Sequence, residues 1–234
     1  GDMISCRLLA EQYAKGKGVR RSRTIAAGLL ERGCSGQEMQ SCKELGLLYH
    51  AGKGVSQNGR KGNTYLEKAC FGGVVEGCTH LGWSYQEGRG VQTSLERANG
   101  LFEKSCGGGD LVACGYLGWN LSMGKKAVSA QNKANALLQK ACSGDVAFAC
   151  NVLGTRMEQG SVEGTAFEDA FKSYVKACEG LDEDGCQNLG RMAGLKGFED
   201  RRRAVSVILE KSCTNGVKKA CLGRDRLKKD RESP

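Results

Sequence analysis

The chain has 234 residues, 40% of them hydrophobic, with 35 glycines, one proline and a net charge of +9. No run of about 18 apolar residues occurs, and the start, Gly1-Asp2-Met3-Ile4-Ser5, lacks the basic and apolar regions of an export signal; the chain as given reads as soluble, without stable membrane insertion. Charge is uneven, at +5 over residues 1–77, −3 over 78–185 and +7 over 186–234. No aromatics interleave the basic residues, which argues against a nucleic-acid partner.

Thirteen cysteines lie on a near-fixed ruler. One series stands at Cys6, Cys42, Cys78, Cys114, Cys150, Cys186 and Cys221, the other at Cys34, Cys70, Cys106, Cys142, Cys178 and Cys213. The step is 36 residues, 35 at the last one, and each cysteine of the second series stands eight before one of the first. Self-similarity at this period predicts stacked small units rather than a single globular core. The tandem units span residues 1–222, the first truncated, and step at Cys6, Cys42, Cys78, Cys114, Cys150 and Cys186, leaving 223–234 as a basic tail.

Each unit reads as helix, loop, helix, turn. Counting a first-series cysteine as position one, the fourth residue is Leu45, Leu81, Leu117, Leu153 or Leu189, and the fifth is Gly46, Gly82, Gly118, Gly154 or Gly190. With the eighth residue these positions form one face of a first helix. A glycine inside a helix costs about 1 kcal/mol relative to alanine, so five in register predict the close approach of a neighbouring helix. Tight loops follow at Gly16-Lys-Gly18-Val19, Gly52-Lys-Gly54-Val55 and Gly88-Arg-Gly90-Val91, degenerating after Gly124 and Gly160. With no preceding strand and no Gly-Lys-Ser/Thr, these are turns and not phosphate loops.

The second helix ends at the other cysteine. Four residues before it stand Leu30, Leu66, Phe102, Leu138, Tyr174 and Leu209; eight before it stand Ala26, Gly62, Ala98, Ala134, Ala170 and Val205. Small residues alternating with large ones let the two helices interlock. Two residues past the cysteine come Gly36, Gly72, Gly108, Gly144, Gly180 and Asn215, predicted as left-handed helix caps. A helix end and a helix start joined by such a turn predict disulfides between Cys34 and Cys42, Cys70 and Cys78, Cys106 and Cys114, Cys142 and Cys150, Cys178 and Cys186, and Cys213 and Cys221. Cysteines at this density fit an oxidising compartment, and an eight-residue spacing does not match the short ligand spacing of structural zinc. Cys6 is left over, and the ruler predicts a half-repeat upstream of it.

The combination of Leu81-Gly82, Tyr85, Gly88-x-Gly90-Val91, Ala98 and Glu103-Lys104-Ser105-Cys106 resembles the Sel1-like repeat, a relative of the tetratricopeptide repeat. The cysteine spacing makes the chain similar to the cysteine-rich branch of that family, the Helicobacter cysteine-rich proteins, over roughly residues 6–222. The resemblance implies an all-α fold, an α/α superhelical solenoid of antiparallel helix pairs, and a protein or peptide as partner. Some cysteine-rich members bind or slowly hydrolyse penicillin-type compounds. Ser122-Met-Gly-Lys125 and Ser173-Tyr-Val-Lys176 fit a Ser-x-x-Lys pattern, yet neither Ser-Asp-Asn nor Lys-Thr-Gly occurs to complete a serine acylase. No cofactor, metal site or catalytic residue is expected.

Stacked units present the same position side by side, so variation at a fixed position reads as a binding surface. The second, third, sixth and seventh residues of the first helix point away from its Cys/Leu/Gly face. Both tryptophans, Trp83 and Trp119, hold the sixth position, and His80 and Tyr116 the third. Tryptophan is enriched among interface hot spots. The expected partner patch is therefore His80, Trp83, Tyr116 and Trp119, with Arg156 and Arg191 further along; the alternative is that the indoles fill grooves between units. The expected function is a non-enzymatic binding scaffold in the periplasm or secreted, which needs no homo-oligomer. Two alternatives come with the resemblance: a weak β-lactam-binding or hydrolysing enzyme, and an assembly factor for a respiratory complex in the mitochondrial intermembrane space.

Overall fold

The computed structural model describes residues 3–124, 128–165, 167–195 and 197–232. Among these residues there are thirteen α-helices, one 3-10 turn and no strand. The chain divides into two compact units, residues 1–113 and 114–234. The first contains α1 (Met3–Lys15), α2 (Arg23–Ser35), α3 (Met39–Ala51), α4 (Gly59–Phe71), α5 (Val75–Glu87) and α6 (Leu95–Gly107). The chain enters the second within α7 (Leu111–Ser122), followed by α8 (Val128–Ser143), α9 (Ala147–Glu158), α10 (Phe167–Glu179), α11 (Glu183–Ala193), α12 (Arg202–Thr214) and α13 (Lys218–Glu232).

In the first unit α1 packs on α2, α3 on α4 and α5 on α6, and α2 and α4 also pack on the helix that follows each. The second helices start in register because the same cap recurs. Side-chain oxygens of Ser22, Asn58 and Ser94 accept from the amides of Ile25, Lys61 and Arg97, satisfying donors that a helix start leaves open. The large residues of the expected core face are buried, with Leu66, Phe102, Leu138, Leu189 and Leu209 0% exposed, whereas the eighth residues Tyr49, Tyr85, Leu121 and Met157 are half-buried. The first-helix glycines are the contact points. A Cβ at Gly46 would stand 2.9 Å from the Gly62 carbonyl, one at Gly82 2.7 Å from the Phe102 ring, and one at Gly154 2.9 Å from the Tyr174 ring.

The glycines two past the second cysteines have a different role from the predicted one. Gly36, Gly72 and Gly108 have φ of −84°, −84° and −79°, outside the left-handed region. That region is entered one residue later, at Gln37, Gly73, Gly109, Asp145, Leu181 and Gly216. What excludes a side chain at the earlier position is the start of the preceding first helix. A Cβ at Gly36 would lie 2.4 Å from the Met3 sulfur, one at Gly72 2.5 Å from Met39, one at Gly108 2.3 Å from Val75 and one at Gly180 2.6 Å from Ala147.

Disulfides join Cys34 to Cys42, Cys70 to Cys78, Cys142 to Cys150, Cys178 to Cys186 and Cys213 to Cys221, with Cα separations of 4.3–4.8 Å. Cys106 and Cys114 are oxidised as well, and Cys6 is a free thiol. Each of the five bridges ties a second helix to the first helix of the next unit.

Residues 223–232, read from their charge as a tail, continue α13. The physical reason is Leu227, 1% exposed, which joins Val205, Leu209 and Met192 in the core of the second unit. Asp225, Arg226, Lys228 and Lys229 around it are exposed.

Candidate protein-binding surface

The first helices carry every residue of the expected patch. In the first unit, on α5, the His80 and Trp83 rings meet edge to face, 4.8 Å between centroids, and both side chains are half-buried. In the second unit, on α7, Tyr116 stands edge-on to Trp119 at 6.3 Å and lies 4.6 Å from the Phe148 ring of α9. Tyr116 and Trp119 are also half-buried. Within each unit the aromatic residues therefore pack against one another while staying half-buried. Such geometry suits amphipathic rings that meet a partner without reordering.

Arg156 departs from the expectation. It is 8% exposed; its Nε donates to the Asn135 Oδ1 at 2.6 Å and its Nη2 to the Gln131 Oε1 at 2.9 Å. Burial lowers its pKa, but the guanidinium stays charged against the two amide oxygens. The reason is angular. At about 100° per residue the seventh position falls beside the leucine rather than opposite it, and Ser84, Asn120 and Met192 are buried there too. Arg191, at the sixth position, stays exposed and pairs with Glu158 at 2.5 Å. That hydrogen bond lowers the Glu158 pKa. Tyr174 donates to the same carboxylate at 2.9 Å, and burial pushes its phenol up to about 12.

A polar feature missed in the sequence lies beneath the patch. Asn63 and Asn135 stand seven before the closing cysteines of α4 and α8. Asn63 Nδ2 donates to the Arg89 carbonyl at 2.7 Å and Asn135 Nδ2 to the Ser161 carbonyl at 2.8 Å, tying each second helix to the loop of the next unit. His50 Nε2 donates to the Asn63 Oδ1 at 2.9 Å, with the Ser84 hydroxyl 3.4 Å away. Asparagine recurring at the repeat step was the available signal.

Both histidines are partly desolvated, and burial lowers the pKa of each from 6.5. The unfolded chain therefore takes up their protons more readily than the folded one, so stability is full above the ordinary histidine range and falls as pH drops through it. The urea midpoint is expected to be lower at pH 5.5 than at pH 7.5. A His50→Gln/His80→Gln variant should flatten that dependence; an equal pH effect in the variant would remove the histidines as its cause.

The two Ser-x-x-Lys segments do not form a matched pair of sites. Ser173 is 7% exposed and donates to the Asp169 carbonyl at 2.9 Å, while the Lys176 ammonium reaches Asp145 at 3.2 Å. Ser122 donates to the Trp119 carbonyl at 2.7 Å, and Lys125 lies outside the described residues. Among the described residues no group of three or more His, Cys, Asp or Glu could hold a metal ion, and no helix is long and apolar enough to cross a membrane.

Comparison with known proteins gives one family. A sequence model of the Sel1 repeat matches residues 4–37, 40–71, 75–110 and 111–146. The structure is similar to that of a protective antigen present in uropathogenic Escherichia coli strains, with 26% identity and a TM-score of 0.78 over 94% of this chain and 47% of that one. The chain thus spans about half the length of that antigen. It also resembles a Sel1 repeat protein from Oxalobacter formigenes, with 19% identity and a TM-score of 0.81 over 92% of this chain and 88% of that one. Helicobacter pylori cysteine rich protein B is 30% identical over 49% of this chain and 89% of its own, with a TM-score of 0.41. No curated protein matches the sequence.

Proposed function

This chain belongs to the Sel1-repeat family, and we propose that it is a non-enzymatic scaffold that binds a protein or peptide on the aromatic face of its first helices, outside the cytoplasm. Repeats of this family generally serve protein–protein interaction. The observation that carries the reading is the pair of half-buried aromatic clusters, His80 with Trp83 and Tyr116 with Trp119, at repeat positions three and six. Their rings are held by neighbours, so little side-chain freedom is lost on binding. The cystines support the extracytoplasmic part of this reading, since they persist where thiols are oxidised, a condition that the periplasm or the secreted medium supplies.

The test is a peptide library selected on the immobilised, oxidised protein. Trp83→Ala/Trp119→Ala is expected to weaken the selected peptides by about tenfold or more, as for hot-spot truncation, with the far-ultraviolet helical signal retained at the assay temperature. Unaltered affinity in the double variant would remove the aromatic face from the reading. Nitrocefin hydrolysis that depends on Ser173 would overturn the non-enzymatic part.

A further inference from the structure

The inter-repeat groove is filled differently along the chain. Between α3 and α5 it holds His50, Asn63 and Ser84, joined by hydrogen bonds. In the second unit Arg156 fills the corresponding space against Asn135 and Gln131. Between α1 and α3 the same three positions are Ala14, Ala27 and Leu48; the two alanines are much smaller than the histidine and asparagine they replace, and none of the three supplies a side-chain hydrogen bond. A cleft of about 350 Å³ remains, floored by Ala26 and Leu30 and walled by Ala10, Ala14, Leu47 and Leu48. An enclosed cavity of about 150 Å³ is enough for a benzene ring, so this open cleft has room for a large apolar side chain and part of its backbone.

The rim of the cleft is charged in an ordered way. Glu11 and Glu44 also line the cleft and are already engaged, Glu11 by Lys15 and Glu44 by Arg7 at 4.0 Å. At the loop end the chain carries Lys15, Lys17, Arg20, Arg21 and Arg23 within one short run. The next turn adds Lys53, brought alongside because Gly54 presses on the start of α2, where an added Cβ would lie 2.3 Å from the Arg23 carbonyl. Arg21, Arg23 and Lys53 line the cleft itself, and among the described residues none of these three is placed against a carboxylate. The unbalanced charge at the mouth is therefore positive. Burial raises the Glu44 pKa.

We infer that the cleft between α1 and α3 binds an acidic peptide segment, with one large apolar side chain seated over Ala26 and Leu30 and carboxylates over Arg21, Arg23 and Lys53. The inference rests on the peptide-binding reading above but places a second contact on α1 and α3, in other repeats than the aromatic clusters of α5 and α7. An anionic membrane is disfavoured because the apolar surface is a bounded cleft and not an exposed plane.

The probe is a capped, fluorescein-labelled peptide of glutamate and glycine with one central phenylalanine, compared with its alanine analogue by anisotropy on the full chain. The phenylalanine peptide is expected to bind about tenfold tighter, the gain from burying one aromatic side chain. Ala14→Leu, which fills the cleft with a good helix former, should abolish that preference at unchanged melting temperature. Arg23→Glu/Lys53→Glu should weaken both peptides by about tenfold through lost charge complementarity. Trp83→Ala/Trp119→Ala should leave the preference intact, so failure of the aromatic face and failure of the cleft are told apart. Equal affinity for the two peptides, a preference that survives Ala14→Leu, or binding to phosphatidylglycerol vesicles but not to the peptide would each overturn the inference.

Discussion

Replacing Cys178 and Cys186 with alanine is expected to lower the unfolding free energy by about 2–3 kcal/mol, the chain-entropy value for closing a short loop. Both cysteines are 0% exposed, and their bridge joins α10 to α11. Those helices have 13 and 11 residues, and helices that short are marginal in water without tertiary support. In a repeat stack each element is stabilised chiefly by its neighbours, so loosening this junction also weakens the hold of α11 on α13, which pack together. The urea midpoint followed by far-ultraviolet circular dichroism should fall in the double variant, and fall further when the wild-type protein is fully reduced. A midpoint unmoved by either treatment would mean that packing alone carries the fold.

The second large effect concerns two glycines with opposite expected signs. Gly46→Ala gains about 1 kcal/mol of helix propensity, yet its Cβ would meet the Gly62 carbonyl at 2.9 Å and the Leu66 side chain at 2.8 Å. Leu66 could rotate, but the carbonyl belongs to the backbone of α4 and cannot yield without moving the helix. Overpacking of this kind costs roughly 1–3 kcal/mol, so the clash outweighs the propensity gain and the variant is expected to be less stable. Gly100 is also in a helix interior, in α6, but a Cβ there meets nothing within 4 Å. Gly100→Ala should therefore be stabilising by about 0.5–1 kcal/mol. Thermal unfolding of the two variants measures the difference, and a stabilised Gly46→Ala would show that the hairpin is looser than its contacts imply.

These residues also show how far the sequence could be read. The cysteine ruler and the Leu-Gly register gave the hairpins and their buried face, because periodicity reports which side of a helix is apolar. It does not report how near a neighbour comes. Gly36 and Gly72 were therefore assigned to a backbone conformation, when the reason for glycine there is the side chains of Met3 and Met39. Arg156 reads as outward-facing from its seventh position, whereas that position falls beside the buried leucine and the amides of Gln131 and Asn135 supply an interior site for it. Residues 223–232 looked like a tail because a single leucine among many charges leaves almost no periodic signal. Of the candidate surface, the aromatic positions were legible and the Ala14 cleft was not, since an opening is made by what small residues fail to fill.

The placement of the cystines divides the connecting turns into two kinds. A protease cut inside the turns at 35–41, 71–77 or 179–185 falls between bonded cysteines, so the severed pieces stay covalently joined until a reductant is added. A cut in the Gly-x-Gly turns at 52–54 or 88–90 falls outside those rings, and there the fragments are held by packing alone. Between Cys42 and Cys106, digestion of the turns would thus release pieces by attack at 52–54 or 88–90, where left-handed backbone at Gly52, Gly54, Gly88 and Gly90 already folds the chain back tightly on itself.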